Sequence, residues 1–234
     1  MIAIDDIPLV TFNEADSIRL IATAYIDEPA MAPLVDDESE LDLLANLEGL
    51  TSARCGLPVQ VPPGVDPMEL LTERHGYGWS YVNAAFCYTR PTGNRFNDVN
   101  RGAWYATWGA GAQHTALAEV SWHLTQEFDA VGVYENVTAY RELLASFATR
   151  MHDLRGFAGH VIFDRDPGIA YPKAQLLAAN LLDAHSNGIL YPSVRADGSC
   201  LAAFRPNIIQ NIRQGSKWTL TWDGEREPSI SENQ

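Results

Sequence analysis

The stretch TRPTGNRFNDVNRGAWYATWGAGAQHTALAEVSWH, residues 89–123, predicts a loop, a strand and a helix in direct succession. Its first part is polar and rich in Gly, Asn and Pro, which is typical of a loop. The segment AWYATW then predicts a short strand, which Gly109 and Gly111 end. Beyond them, from Thr115 to Gln126, apolar residues recur at helical spacing. Three elements that follow one another this closely can bring their side chains to one place.

On both sides of this stretch the sequence predicts further helices and strands. A clear helix is predicted over YPKAQLLAANLLDAHSNG (171–188), with Pro172 near its first turn and Gly188 past its end. Strands are predicted at WSYVNAAFCY (79–88), NVTAYREL (136–143), HVIFD (160–164), GILYPSV (188–194), CLAAFRPNII (200–209) and KWTLTWDG (217–224). Helices on either side of several strands, without regular βαβ repeats, indicate an α+β fold.

The chain is predicted to have three parts. Residues 1–46 are expected to form an acidic helical segment packed on the core, because the motif TFNE is a capping box before the amphipathic stretch ADSIRLIATAYI. A second helix in this region is predicted over SELDLLANLEGL (39–50). Residues 47–224 form the main domain, and residues 225–234 form a polar, frayed tail.

Charge and cysteine content exclude several classes of function. The net charge is −14, and residues 1–50 contain twelve acids and one base, Arg19. Nucleic acids and anionic membranes require a basic surface, so neither is an expected partner. The acidic run is either a solvated face or a docking surface for a basic partner. No apolar run reaches the roughly 18 residues of a membrane span, and the three widely spaced cysteines fit a reducing cytoplasm.

Familiar signatures of nucleotide, hydrolase and metal sites are missing from the sequence. No G-x-G-x-x-G follows a strand, and there is no Walker loop. Ser193 lies in YPSVR and not in a G-x-S-x-G elbow, and H-E-x-x-H is absent. The residues that could carry chemistry are instead concentrated between residues 81 and 123.

The candidates in this region lie on three different predicted elements. Arg95 lies in the polar loop, where its planar guanidinium suits phosphate oxygens. Tyr105 follows in the next strand. Glu119 and His123 are four residues apart, so they share one face of the predicted helix. Glu119 lies among apolar residues, where an unpaired carboxylate is costly, so we expect it to be paired or functional.

Each candidate also has an ordinary structural interpretation. Arginines in a loop are usually solvated charges, and a tyrosine beside tryptophans is usually part of a core. Glu119 and His123 could form a structural pair or be two ligands of a metal. Ser193 by itself could be a hydroxyl at the end of a strand. The residues alone leave these alternatives open.

Seven segments, taken together and in order, resemble the RES domain, which is named for its Arg, Glu and Ser. They are LTSAR (50–54), YVNAAFCY (81–88), GNRFND (93–98), GAWYATW (102–108), TALAEVSWH (115–123), GILYPSVR (188–195) and the strand ending AAFRP (202–206). The resemblance covers roughly residues 47–224. RES proteins are the toxins of RES–Xre toxin–antitoxin pairs, so the chain is identified as such a toxin.

The resemblance implies a fold, a site and partners. The fold would be similar to that of ADP-ribosyltransferases, with a split β-sheet core around an NAD⁺ cleft, flanking helices and a helical N-terminal segment. Arg95, Glu119 and Ser193 match the family's arginine, glutamate and serine. Tyr105 matches its active-site tyrosine, and Arg54 matches an additional upstream arginine. The implied substrate is NAD⁺, without a metal, and the implied partner is an Xre-like antitoxin.

In this interpretation the protein breaks the bond between nicotinamide and ribose. Glu119 stabilises the positive charge that develops on the ribose, and Arg95 binds the pyrophosphate with Arg54 as a second phosphate ligand. Tyr105 stacks on the nicotinamide or the ribose, and Ser193 holds a ribose hydroxyl or the glutamate. The ADP-ribose passes to water, to phosphate or to a protein target, and the sequence does not choose among these acceptors.

Two other functions remain open at this point. One is a non-catalytic binding protein that uses its acidic residues 1–50 as an interaction surface. The other is a metal-dependent hydrolase that uses Glu119 and His123.

Overall fold

The computed structural model describes residues 2–26, 52–55 and 61–233. Within these ranges the chain forms three α-helices, α1 (Trp79–Cys87), α2 (Ala112–Val131) and α3 (Pro167–Asp183). The described strands are β1 (Leu9–Ala22), β2 (Trp104–Trp108), β3 (Glu135–Asp153), β4 (Gly188–Pro192), β5 (Ser199–Ala203), β6 (Gln210–Asp223) and β7 (Ser229–Asn233). No helix in the described part is long and apolar enough to span a bilayer.

The strands form two antiparallel ladders that share few hydrogen-bonded pairs with each other. One ladder has the order β1-β3-β6-β7 and the other the order β2-β5-β4. The ladders meet where Ile18 of β1 pairs with Thr107 of β2, and where the end of β3 runs parallel to β4 over two pairs. These pairings join all seven strands into one sheet, and the predicted α+β class with flanking helices is confirmed.

The prediction of a helical N-terminal segment is wrong for the part that the structure describes. Residues 9–22 form β1, which pairs with β3 through twelve residue pairs. A bulge between Glu14 and Ser17 interrupts the ladder. After the bulge, residues 18–22 are partly buried on both faces of the strand, so their apolar residues do not alternate as those of a half-exposed strand would. Ser17 is fully buried and donates a hydrogen bond to the carbonyl of Ala145 at 2.9 Å. The segment is therefore a strand of the core, and the helix predicted at 39–50 lies outside the described residues.

Three other local predictions are corrected by the structure. WSYVNAAFCY forms helix α1 and not a strand, because a short run that is apolar on nearly every side does not distinguish the two. HVIFD forms a 3-10 turn at Val161–Phe163, where the side chain of His160 caps the turn by accepting from the Ile162 amide. In α3 it is Pro167 that occupies the first turn, and Pro172 lies in the helix interior.

The C-terminal tail is also more ordered than predicted. Ser229–Asn233 form β7, which lies antiparallel to β6 at the edge of the first ladder. Its side chains are mostly exposed, which explains why the segment has the composition of a solvated tail. Main-chain pairing with β6, rather than apolar burial, holds it in place.

Apolar packing fixes the two helices that matter most for the site. Helix α2 packs through Leu117 against Trp218 and Leu220 of β6. Helix α3 packs through Leu177 and Leu181 against the β4–β5 side of the second ladder. Helix α2 also contacts both β1 and β2, and residues of both helices reach the same cavity.

Candidate active site

A cavity of about 360 Å³ opens between β1, the polar loop, β2, α2 and α3. Three of the predicted site residues, Arg95, Tyr105 and Glu119, line it. Its charged and aromatic lining comprises Arg19, Arg90, Arg95, Arg195, Glu119, His123, Tyr88, Tyr105, Tyr140, Tyr171 and Tyr191. In the part of the chain that the structure describes, four arginines thus face one carboxylate. Although the protein has a net charge of −14, the electrostatic potential in this cavity favours the binding of anions.

Arg95 is held in the cavity wall by main-chain carbonyls. One terminal nitrogen, Nη1, donates to the carbonyls of Ile162 at 2.6 Å and Asp164 at 3.2 Å, and the guanidinium carbon lies 5.5 Å from the ring centre of Tyr171. The residue is 7% exposed. No described carboxylate lies within ion-pair distance of it, so the described residues do not neutralise its positive charge. A buried cation of this kind is costly unless an anionic ligand compensates it.

Tyr105 connects β2 to the turn that carries Arg95. Its hydroxyl donates to Oδ1 of Asn97 at 2.9 Å and accepts from the amide of Phe96 at 2.9 Å. Burial raises the pKa of Tyr105 well above its usual value, so the hydroxyl stays protonated. The turn is tight, because Gly93 has a φ of +65° and a Cβ there would lie 2.2 Å from the carbonyl oxygen of Asn97. The hydroxyl of Tyr105 is therefore used to position Arg95, and only its ring remains for the predicted stacking on a ligand.

Glu119 and Ser193 are joined by a hydrogen bond. The Ser193 hydroxyl donates to Oε1 of Glu119 at 2.6 Å, and it accepts from the amides of Arg195 at 3.0 Å and Ala196 at 3.1 Å. Ser193 was predicted to hold either a ribose hydroxyl or the glutamate, and in the structure it contacts the glutamate. Ser193 itself is not part of the cavity lining. The second carboxylate oxygen of Glu119 has no hydrogen bond to the described residues, so it is free for a ligand.

His123 lies on the cavity face of α2, one turn beyond Glu119. Burial, followed by the charges of Arg90, Arg195 and Arg95, lowers the pKa of His123 to about 4. The imidazole is therefore neutral at pH 7. The four-residue spacing from Glu119 correctly predicted a shared face.

Arg195 faces the cavity from the turn that follows β4, and sequence reasoning did not single it out. One terminal nitrogen donates to the carbonyl of Arg165 at 2.8 Å, and the guanidinium carbon lies 3.3 Å from the ring centre of Trp122. Burial lowers the pKa of Arg195, and the charge of Glu119 acts in the opposite direction. Its position two residues after Ser193 in YPSVR could have indicated that Arg195 lies near the site.

Arg19, from β1, was also missed as a site residue. Its guanidinium donates to the carbonyl of Tyr105 at 3.2 Å, and its central carbon lies 4.9 Å from the ring centre of Trp104. Burial lowers the pKa of Arg19 to about 10, so the side chain remains charged at pH 7. The erroneous helix prediction had placed this residue outside the domain.

The structure does not bring Arg54 to the cavity. Arg54 lies in the 3-10 turn Ala53–Cys55, and its carbonyl accepts a hydrogen bond from the side chain of Asn83 at 2.9 Å. It is absent from the cavity lining. Its predicted role as a phosphate ligand therefore has no support from the geometry.

Two further loop arginines have different surroundings. Arg101 is buried in an ion pair with Glu69 and also donates to the carbonyls of Gly64 and Phe204, so it has a structural role. Arg90 lines the cavity but is exposed, and it lies 3.4 Å from Glu127. Of the three loop arginines, Arg95 is the one that is both buried and without a carboxylate partner among the described residues.

Metal ligation was one of the alternatives for Glu119 and His123. Across residues 2–26, 52–55 and 61–233 no group of three or more His, Cys, Asp or Glu side chains could hold a metal ion. His123 and Glu119 thus have no third protein ligand in the described part of the chain.

A model of the family described as "RES domain" matches residues 70–223, which is well over half of the chain. The chain belongs to the RES domain family. The family predicted from the sequence is thereby confirmed. The match in this RES domain begins after β1 and ends at the last residue of β6. Arg95, Tyr105, Glu119 and Ser193 lie inside the match, whereas Arg19 lies outside it.

One solved structure similar to this RES domain is the crystal structure of the M. tuberculosis MbcT–MbcA toxin–antitoxin complex. The sequence identity is 15% and the TM-score is 0.42, with 91% of this chain and 87% of that chain covered. No curated protein sequence resembles the chain closely enough to count as a match.

Proposed function

We propose that this RES domain binds NAD⁺ in the cavity and cleaves its nicotinamide–ribose bond, as the toxin of a toxin–antitoxin pair. The observation that carries the proposal is the single carboxylate, Glu119, which Ser193 holds within a cavity lined by four arginines. A positively charged cavity with one oriented carboxylate fits a substrate that has a diphosphate and a sugar carbon that becomes cationic. NAD⁺ combines both features.

The chemistry requires little more than this carboxylate. The bond between N1 of nicotinamide and C1′ of ribose breaks, and its electron pair leaves with the nicotinamide, which becomes neutral. No acid is needed for this leaving group. The ribose acquires oxocarbenium character, which the free oxygen of Glu119 can stabilise electrostatically. A nucleophile then forms the new bond to C1′ and loses its proton.

Ser193 acts on this step through Glu119. The hydroxyl receives two main-chain hydrogen bonds and donates one to the carboxylate, so the orientation of Oε1 is fixed by the turn after β4. An electrostatic stabiliser that is oriented before the reaction costs no reorganisation when charge develops. Ser193 is therefore a positioning residue and not a nucleophile.

Arg95 supplies binding energy for the diphosphate. Its guanidinium is held by two carbonyls through one nitrogen, which leaves other N–H groups for phosphate oxygens. His123, neutral at pH 7, adds a hydrogen-bonding group beside the carboxylate without adding charge.

The acceptor of ADP-ribose is water, inorganic phosphate or a protein side chain, as the family resemblance implies. The same resemblance supports an Xre-like antitoxin as the partner that keeps the activity in check. We place the protein in the cytoplasm, where NAD⁺ is available. The buried free thiols of Cys87 and Cys200 are compatible with that compartment.

Purified protein incubated with NAD⁺ labelled in its adenylate half tests the proposal. Parallel reactions contain no addition, inorganic phosphate or cell extract. We expect loss of NAD⁺ with free ADP-ribose, its phosphorylated form or labelled protein as the product. Glu119→Gln should lose this activity, whereas the exposed control Glu135→Gln should retain it. If wild-type protein leaves NAD⁺ intact under all three conditions, or if Glu119→Gln is as active as wild type, the proposal is wrong.

A further inference from the structure

Glu142 of β3 is a buried carboxylate that does not line the cavity. The residue is 4% exposed. Its Oε1 accepts hydrogen bonds from Nε2 of Gln113 and Nε1 of Trp218, and its Oε2 accepts from the amide of Ser216, all at 3.0 Å. None of these three donors carries a charge. Burying a carboxylate costs free energy even when hydrogen bonds satisfy it, so packing alone does not explain its presence.

The backbone of β6 is shaped around this carboxylate. The pairing of β3 with β6 shifts register at Glu142, so that Gly215 and Ser216 lie opposite this one residue. A bulge of this kind leaves main-chain groups outside the ladder, and here the amide of Ser216 donates to the carboxylate. A Cβ on Gly215 would lie 2.5 Å from Oε2, so glycine allows the close approach. The surroundings of Glu142 therefore suit an ionised side chain.

Two of the three donors connect Glu142 to the helix that carries Glu119. Gln113 is the second residue of α2, so its hydrogen bond joins the first turn of this helix to β3. Trp218 donates to Glu142 and packs against Leu117, which lies two residues before Glu119. Glu142 therefore holds α2 at its first turn and also orients the indole on which the helix rests.

The first turn of α2 has a second attachment, to β2. The hydroxyl of Thr107 donates to the carbonyl of Ala112 at 2.7 Å. Since the cavity lies between β1 and β2, Glu119 faces it correctly only if α2 is placed relative to both ladders. Thr107 provides the attachment to the β2 side, and Glu142 provides the attachment to β3 and β6.

We propose that Glu142 is a positioning residue, which sets the place of α2 and thereby the place of the Glu119 carboxylate in the cavity. Glu142 does not touch the substrate and supplies no chemistry. A small displacement of an oriented group lowers the rate of the chemical step even when its cause is remote. This inference rests on the proposed function for the role of Glu119, but not for the placement of α2.

Two variants break the connection from its two ends. Glu142→Gln removes the charge, and its amide group turns a donor toward at least one of the three donors that surround it. Gln113→Ala removes the link on the helix side and leaves the carboxylate its other two hydrogen bonds. Gln113 is exposed, so this variant should fold normally.

The chain offers a matched control for each variant. Glu232 accepts a hydrogen bond from the hydroxyl of Ser216 but is exposed, so Glu232→Gln removes a carboxylate beside the same residue. Gln126 is an exposed glutamine on α2, so Gln126→Ala is the control for the helix. The measurements are kcat and KM for NAD⁺ cleavage, thermal unfolding, and amide hydrogen exchange over residues 112–124.

We expect Glu142→Gln to lower kcat about tenfold or more and to leave KM almost unchanged. Gln113→Ala should lower kcat by a smaller factor. The double variant should lose no more than Glu142→Gln alone, because both changes break the same contact. Amide exchange over residues 112–124 should be faster in both variants, whereas Glu232→Gln and Gln126→Ala should resemble wild type.

Three results would overturn the inference. These are wild-type kcat in folded Glu142→Gln, a raised KM with unchanged kcat, and wild-type amide exchange over residues 112–124 in both variants. If Glu142→Gln does not fold, as judged by thermal unfolding, Gln113→Ala decides by the same comparison. The proposed function fails separately. If wild type leaves NAD⁺ intact but amide exchange in α2 depends on Glu142, the placement of the helix by Glu142 stands and NAD⁺ cleavage does not.

Discussion

The hydroxyl of Ser193 donates a 2.6 Å hydrogen bond to Oε1 of Glu119, although 74 positions separate the two residues in the chain. The glutamate comes from α2, which packs on β6, and the serine follows β4 in the other ladder. The bond therefore joins α2 to the turn after β4 at the carboxylate. It also gives a direct way to test whether the orientation of Glu119 matters.

Replacement of Ser193 with Ala should lower the turnover number for NAD⁺ cleavage and leave KM almost unchanged. Loss of one hydrogen bond to a charged group is worth about 1.5–3 kcal/mol, so a decrease of about tenfold or more is expected. Ser193→Thr keeps the hydroxyl and should restore much of the rate. Ser231→Ala, at an exposed position of β7, is the matched control. A turnover number for Ser193→Ala equal to that of wild type would show that the carboxylate does not need this contact.

Replacement of Tyr105 with Phe should affect stability and substrate binding together. The variant leaves the amide of Phe96 and the side chain of Asn97 without their partner, at a cost of about 1–3 kcal/mol in the free energy of unfolding. Because the turn then holds Arg95 less firmly, KM for NAD⁺ should rise. Chemical denaturation and steady-state kinetics measure the two effects, with Tyr77→Phe as an exposed control. An unchanged KM in a destabilised variant would argue against a role in positioning Arg95.

Arg95 and Arg101 lie in the same loop but should respond differently to replacement with Met. Arg101→Met removes one partner of the buried ion pair with Glu69, so it should lower the free energy of unfolding by about 3–5 kcal/mol. Arg95→Met removes a cation that has no described carboxylate partner. It should weaken NAD⁺ binding about tenfold or more while costing less stability. Chemical denaturation and NAD⁺ binding are measured for both variants. If Arg95→Met is the less stable of the two and binds NAD⁺ with normal affinity, the assignment of a binding role to Arg95 and a structural role to Arg101 is wrong.

His123 should make the protein sensitive to acid. Its pKa is about 4 in the folded state and about 6.5 when unfolded, so the unfolded state binds the proton more tightly. Stability from the neutral imidazole is fully present above pH 6.5 and is lost as the pH falls toward 4, by up to about 3 kcal/mol. His152, whose pKa is lowered by burial and by Arg150, acts in the same direction.

The measurement for His123 is the difference in unfolding free energy between pH 7 and pH 4.5. His123→Gln should show a smaller difference than wild type, because Gln does not titrate. His152→Gln serves as the comparison for the second histidine. If wild type and His123→Gln lose the same stability over this range, the imidazole is not held neutral by its surroundings.

The sequence predicted best those parts of the site that are close together in the chain. Arg95, Tyr105 and Glu119 lie on a loop, a strand and a helix that follow one another, and the structure brings all three to one cavity. Ser193 had no local signal of function. Only the resemblance to the RES pattern singled it out, and its contact with Glu119 depends on the packing of separate elements.

The errors arose where distant parts of the chain decide local structure. The second half of β1 is partly buried on both faces and so lacks the alternation of a strand, and its partner β3 lies more than a hundred residues away. Arg19 was therefore assigned to an accessory segment. α1 was mistaken for a strand because its apolar residues leave few polar positions to reveal a period. Arg195 reaches the cavity because of the turn after β4, and the spacing of residues in the sequence does not predict the course of that turn.

The two ladders share few backbone pairs, and this affects how the stability of the protein depends on a bound ligand. Arg19 belongs to the first ladder, whereas Arg95 follows the turn tied to β2 in the second. A ligand bound in the cavity that both arginines line would act as a reversible cross-link beside the β1–β2 pair at Ile18 and Thr107. Since a ligand that binds only the native state stabilises it by mass action, resistance to unfolding and to proteolysis should rise and fall with nucleotide concentration. The lifetime of the protein would then be coupled to the supply of the molecule that it is proposed to consume.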